Sequence, residues 1–223
     1  GSASVSEQTR KRIEAIAQQL NYKVDKNASS LRTQRSNTLA LLFFEEPTPD
    51  ETGINLFFLS MLASITRKAA RRNHDLLISF QQLSANWHVD YEDSRKADGI
   101  ILLGYGDYEL YQPKLEQLIQ QGTHFVRWGM VGGQDEMGTT IGCDNMDGGR
   151  LAAEHLIAHG RKHIAFLGDA SNHYPEFRDR YLGARNAMAA AGLVIAAGLQ
   201  VDALNTEQSG FDAAQQLIDS GIK

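Results

Sequence analysis

Carboxylates, an amide and aromatic rings recur in this chain just after apolar runs: Glu45 and Glu46, Tyr105 and Asp107, Trp128, Asp144 and Asn145, and Asp169. Carboxylates and amides exchange hydrogen bonds with hydroxyls, and an aromatic face packs the C–H side of a pyranose or furanose ring. The set suits binding of a sugar better than bond-breaking chemistry. Acids that follow strands also serve as helix N-caps, and Asp144 is open to both readings. Signals for catalysis are thin. His155, His159 and His163 repeat every four residues, a spacing that could seat a metal on one helix, but Gly160 is placed to end that helix. Gly104-Tyr105-Gly106 lacks the third glycine of a dinucleotide fingerprint. There is no phosphate-binding loop, nucleophile elbow or zinc-type Cys/His spacing. Cys143 is the single cysteine and reads as a buried structural thiol; it excludes an intrachain disulfide and suits a reducing compartment. No cofactor, no metal and no enzymatic activity are expected.

The elements that must position these groups are legible from apolar periodicity. Strands are predicted at 38–44, 76–80, 99–103, 124–128, 140–143, 163–167 and 199–203, and helices near 56–72, 108–121, 146–159, 176–191 and 207–220. Regular alternation of strand and helix, with nearly continuous apolar strands, predicts α/β folding with a doubly wound parallel sheet covered on both faces. In such sheets ligands bind beyond the carboxyl ends of the strands, where the groups above stand.

The front of the chain is different. Of 223 residues, 42% are hydrophobic and 22% charged, enough for a real core, and the net charge is −5. Residues 1–36 hold seven Lys/Arg against three acids, a net +4, which leaves −9 on the rest. A basic arm on an acidic body is how a polyanion-binding tail looks, although a solvated basic helix looks the same. Ser6 is placed to cap a helix over 6–20, with Ile13, Ile16, Ala17 and Leu20 on one apolar stripe and Arg10 and Lys11 off it. So narrow a stripe needs a partner. Residues 23–37 are polar and read as a linker. No apolar run is long enough to span a membrane, and residues 1–30 hold no secretory core.

Val5, Ser6, Thr9, Arg10, Arg12, Leu20, Tyr22, Ala28 and Leu31 resemble the VSxxTRxRV, LxYxP and AxxL pattern of the lactose-repressor (LacI/GalR) family of bacterial transcription regulators. NLFFLSML at 55–62, ADGIILL at 97–103, CDNMDGGRLAAEHLIAHGRKHIAFLG at 143–168 and RYLGARNAMAAAGL at 180–193 match the body of that family in order. The resemblance implies a periplasmic-binding-protein-like fold of two α/β subdomains with a ligand cleft between them. Residues 1–24 would be a remnant of a helix-turn-helix DNA-binding domain and 25–37 a hinge. Residues 38–160 would form the effector-binding N-subdomain and 161–223 the start of the C-subdomain. Most of the helix-turn-helix and the later part of the effector domain would lie outside this sequence. Implied partners are operator DNA, a small-molecule effector, here a sugar, and a second copy in a homodimer, in the cytoplasm.

The same resemblance assigns residues. Phe57 and Phe58 stand where the family's NPFF motif lines the pocket, with Leu56 in place of the usual proline. Adjacent residues cannot share a helix face, so at most one of the pair is simple core. Arg180, three residues before Gly183, matches the family's ligand-binding arginine, whose fork of donors suits vicinal hydroxyls or a carboxylate. A salt bridge to Asp179 or Glu176 is its alternative role. The effector set is thus Phe57, Phe58, Asp107, Trp128, Asp144 and Arg180. The DNA set is Ser6, Tyr22, Asp25, Ala28 and Leu31, where Leu31 matches the leucine that wedges a base step. Val24, Asp25 and Ser29 replace the family's proline, asparagine and arginine, which weakens the hinge match. Two rivals share the α/β pattern. A transporter's solute-binding protein would need a secretion signal and no basic arm, and a sugar-processing enzyme would show turnover.

Overall fold

The computed structural model describes residues 6–22, 35–44, 56–80, 86–104, 106–130, 138–196 and 198–221. Its first element is α1 (Glu7–Gln19), capped by Ser6, whose hydroxyl accepts from the Thr9 N–H at 3.2 Å. The predicted stripe is there but covered by nothing: Ile13, Ile16 and Leu20 are 57%, 46% and 72% exposed. A helix of 13 residues with no buried face is marginal in water by itself.

The body begins with β1 (Thr38–Phe43), followed by α2 (Leu56–Arg71), β2 (Asp75–Phe80), β3 (Ile100–Leu103), α3 (Tyr108–Gln120), β4 (Phe125–Trp128) and β5 (Thr139–Ile141). The five strands form one parallel sheet in the order β2-β1-β3-β4-β5. Period-two alternation sends β1 and β3 side chains into two cores. Ala40, Leu42, Ile100 and Leu102 meet Leu115 and Leu118 of α3, with Trp87 and Ala97, on one face. Leu41, Phe43 and Leu103 meet Phe58 of α2 on the other. Burial on both faces is why these runs are continuously apolar. A single π-helical turn at Val89–Asp93, not foreseen in the apolar pattern, links β2 to β3. It is fastened to the start of β4, where Glu92 accepts from the His124 N–H at 2.6 Å and His88 bonds the Thr123 hydroxyl at 2.9 Å. At the same end, Asp98 accepts from the Ser36 and Asn37 N–H groups at 2.6 and 2.8 Å, tying the chain that leads into β1.

The second part holds α4 (Asn145–Ala158), β6 (Phe166–Leu167), α5 (Pro175–Ala190), β7 (Gln200–Val201) and α6 (Glu207–Asp219), with β6 and β7 paired in parallel. Here α4 packs along α5, and Ala153, Ile164, Ala187 and Met188 share one core. Two glycines make that contact. A Cβ on Gly149 would strike the Arg180 carbonyl oxygen, and one on Gly183 the Met146 carbonyl oxygen. The helices therefore cross backbone against backbone.

Gly148, one residue away, faces open space. The pair yields a contrast. Gly149→Ala should lower stability by about 1–3 kcal/mol through overpacking. Gly148→Ala should raise it by about 0.5–1 kcal/mol, because alanine restricts the unfolded chain and favours helix. Denaturant unfolding of both variants checks this, and equal effects would contradict the crossing geometry.

Candidate functional site

The carboxyl ends of the first sheet meet the segment 169–180 along a seam, and charged groups from both sides share it. Arg127 in β4 is only 5% exposed. Its Nε donates to Thr140 Oγ1 on β5 at 3.0 Å, and its guanidinium lies 5.7 Å from the Tyr108 ring centroid. Gly129 leaves the space above the backbone empty, because a Cβ there would stand 2.9 Å from Arg127 Nη1 and 3.3 Å from Glu176 Oε1. Arg127 and Glu176, from opposite sides of the seam, thus converge over a bare backbone position. Burial pushes the Glu176 carboxyl above the usual carboxylate range. Its own backbone N–H at the start of α5, Arg127, the Met130 N–H and Arg180 oppose that shift.

A second tie lies at the start of α3. Asp107 caps α3, accepting from the Glu109 and Leu110 N–H groups at 3.0 and 3.4 Å. The same carboxylate holds His173 from across the seam, with Nδ1 2.9 Å from each oxygen. The Tyr108 N–H also donates to the His173 carbonyl at 2.8 Å. The hydrogen bond to Asp107 raises the His173 pKa above its ordinary value; partial burial opposes this, and the charges of Asp107, Glu109 and Asp169 add to it.

Arg180 projects from α5 toward α4. Its Nε donates to Asn145 Oδ1 at 2.8 Å, and its guanidinium lies 5.4 Å from the Phe177 ring centroid. It borders an apolar cavity of about 370 Å³ with Gly149, Ala153, Leu156, Ile164 and Phe166. Arg178 turns elsewhere, to Asn172 at 2.6 Å and Asp179 at 3.6 Å. Phe57 is 47% exposed, and its ring stands 5.8 Å from Trp128, at 60°. Phe58 faces the other way, 2% exposed among Leu41, Phe43 and Leu103, and is a core residue rather than a pocket wall. Asp144 caps α4, accepting from the Asp147 N–H at 2.8 Å. Cys143 is exposed rather than buried, because it follows the last paired residue of β5.

Four of the six effector candidates therefore fall into three groups: Phe57 with Trp128, Asp107 beside His173, and Arg180 beside Asn145. Arg127 and Glu176 connect them, through Tyr108 on one side and Arg180 on the other. Arg127, Tyr108 and His173 are not in the predicted set. Arg127 had a signal, a lone charge inside the apolar run FVRW, while His173 had none. Ser6 and Tyr22 are exposed at either end of α1. Asp25, Ala28, Leu31, Glu45, Glu46 and Tyr105 lie outside the described residues. Among the described residues no group of three His, Cys, Asp or Glu could hold a metal ion, and no helix is long and apolar enough to cross a membrane.

Comparison with known proteins gives this geometry a setting. The family described as periplasmic binding proteins and sugar binding domain of LacI family matches residues 49–221. The transcriptional regulator RafR of Escherichia coli is 29% identical over 175 residues, 78% of this chain and 50% of that protein. The chain thus spans about half the length of that curated relative. The Lac repressor dimer bound to operator and the anti-inducer ONPF superimposes with a TM-score of 0.74 at 20% identity, covering 99% of this chain and 64% of that one. The CelR–cellobiose complex does so with a TM-score of 0.66 at 23% identity, covering 98% and 64%.

The Asp107–His173 tie has a defined pH dependence. With the folded value raised, the stability it contributes is fully present below the ordinary histidine range. It is lost as pH rises through the raised value. An NMR titration should place the His173 midpoint above the ordinary value. Asp107→Asn, which keeps a good helix cap, should bring it down. A midpoint unmoved by that substitution would contradict the tie.

Proposed function

The chain belongs to the family of periplasmic binding proteins and sugar-binding domains of the LacI family, and we propose that it is the sugar-sensing part of a bacterial transcription regulator acting in the cytoplasm. The observation that carries this reading is the seam itself. An aromatic pair, two guanidiniums and several carboxylates converge where the ends of two parallel sheets meet, the place such folds use for ligands. In this reading Trp128 and Phe57 cover the C–H face of a sugar, and Asp107 and Asp144 accept from its hydroxyls. Arg180 donates to it. Phe58 supports the wall from the core. The boundary between the two subdomains is drawn between β5 and α4. The name Lac repressor and the operator in that complex support assigning Ser6, Tyr22, Asp25, Ala28 and Leu31 to DNA contact, and they favour this reading over a transporter's solute-binding protein. A basic α1 ahead of the body fits the same assignment. A sugar can alter DNA binding here only if it prefers one arrangement of the two subdomains.

The sugar site is tested by intrinsic fluorescence of the full-length protein. Of the two tryptophans in this sequence, Trp87 is buried at 3% exposure in the α3-side core, so a bound sugar should perturb Trp128 rather than Trp87. Titration with cellobiose and other common mono- and disaccharides should change the emission of the wild type, and Trp128→Phe should abolish the change. Arg180→Ala should weaken binding by about 1.5–3 kcal/mol, roughly 10- to 150-fold. A sugar response that survives in both variants would sink the assignment.

Self-association as a twofold dimer follows from exposed apolar groups on the neighbouring α2 and β2. Leu59, Ile78 and Phe80, on the α2 side of the sheet, are 38–48% exposed, more than a solvated face usually carries. The Lac repressor complex is a dimer, which supports the reading. Sedimentation of the full-length protein should show a dimer at micromolar concentration, and Leu59→Asp with Ile78→Asp should yield folded monomer. An unchanged dimer would move the interface elsewhere.

A further inference from the structure

We propose that Asn145 is the positioning residue that aims Arg180 at the effector, an inference that rests on the sugar-sensing reading of the seam. Asn145 is the first residue of α4 and is 6% exposed, an uncommon place for an amide with four hydrogen-bonding valences. Both ends of the amide are used. Its Nδ2 donates to the Cys143 carbonyl at 3.2 Å, and its Oδ1 accepts from Arg180 Nε at 2.8 Å. The first bond fixes the amide's orientation, so that oxygen rather than nitrogen faces the arginine. The second fixes the guanidinium plane, because a fork held at Nε cannot rotate about its last bond.

The backbone places the two residues together. Gly149 and Gly183 let α4 and α5 approach until the Arg180 carbonyl oxygen lies against α4. The Phe177 ring, 5.4 Å from the guanidinium, limits the side chain from within its own helix. A long, flexible arginine is thereby held in one direction before any ligand arrives. Pre-ordering of this kind lets a contact residue bind without losing its rotamer freedom at that moment. Asn145 itself need not touch the ligand.

The test uses the full-length protein and does not need a known effector. The Arg180 Nε–H resonance, assigned by its loss in Arg180→Lys, should exchange slowly with water in the wild type. In Asn145→Ala its exchange should quicken by about ten-fold or more, as expected when a partly buried hydrogen bond is removed. Asn145→Asp, which keeps an oxygen acceptor, should restore the protection even if its melting temperature differs. A resonance equally protected in Asn145→Ala, or one not restored in Asn145→Asp, overturns the proposal. Any sugar that perturbs Trp128 in the wild type, with cellobiose as the first probe, should bind about ten-fold more weakly to Asn145→Ala and regain affinity in Asn145→Asp. Equal weakening in both variants also overturns the proposal. If no sugar perturbs Trp128, the sensing reading fails while the exchange rates still decide whether Asn145 positions Arg180.

Discussion

A half-buried carboxylate that faces a buried guanidinium across the seam is the constraint on which the rest of this structure turns. Glu176 at the start of α5 and Arg127 at the end of β4 approach the same point from either side, over the bare backbone of Gly129. Taking a carboxylate out of water is costly unless charges and N–H donors surround it. Here Arg127, Arg180, the Met130 N–H and the N–H groups of a helix start supply that surround. The supply comes from both sides of the seam, so separating the two sides strands groups on each. That is how a few side chains make the relation between two sheets a property with energetic consequences.

The scaffold keeps those side chains where they meet. Parallel strands buried on both faces set the carboxyl edge of the first sheet, and Arg127 is anchored there by Thr140 on the neighbouring strand. On the other side, α4 and α5 form a brace whose closeness depends on two glycines, and Arg180 and Asn145 are fixed at the crossing. The brace and the sheet each pack a core of their own, while hydrogen bonds cross the seam between them. In the proposed reading, a ligand that replaces some of those bonds rebalances the seam without disturbing either core.

Much of this was readable from residue order. Apart from the π-helical turn at Val89–Asp93, each described strand and helix of the body falls within three residues of its predicted range, because apolar periodicity reports which faces are buried. Ser6 as the cap of α1 was readable for the same local reason. β6 is shorter than its apolar run, since Phe166 and Leu167 alone pair with β7. What local pattern could not carry is contact between distant segments. Gly149 and Gly183 look like weak points in helices until their crossing partners are known. Asp144 reads evenly as a cap or as a ligand group and Asp107 reads as a ligand group, and both carboxylates cap helices here, a role that leaves room for either reading. His173 gains its role only from a carboxylate 66 residues away. Phe57 and Phe58 divide into an exposed ring beside Trp128 and a core residue by helix geometry, a division set by which way α2 faces the sheet.

The proposed ligand site spans the seam and draws on both sides of it. Hydrogen–deuterium exchange of the full-length protein, with and without a saturating sugar, is the decisive measurement. Bound sugar should slow exchange together in residues 126–130, 144–150 and 173–181, which include Trp128, Asp144, Asn145 and Arg180. Protection confined to one side of the seam, or lying outside these segments, would contradict it.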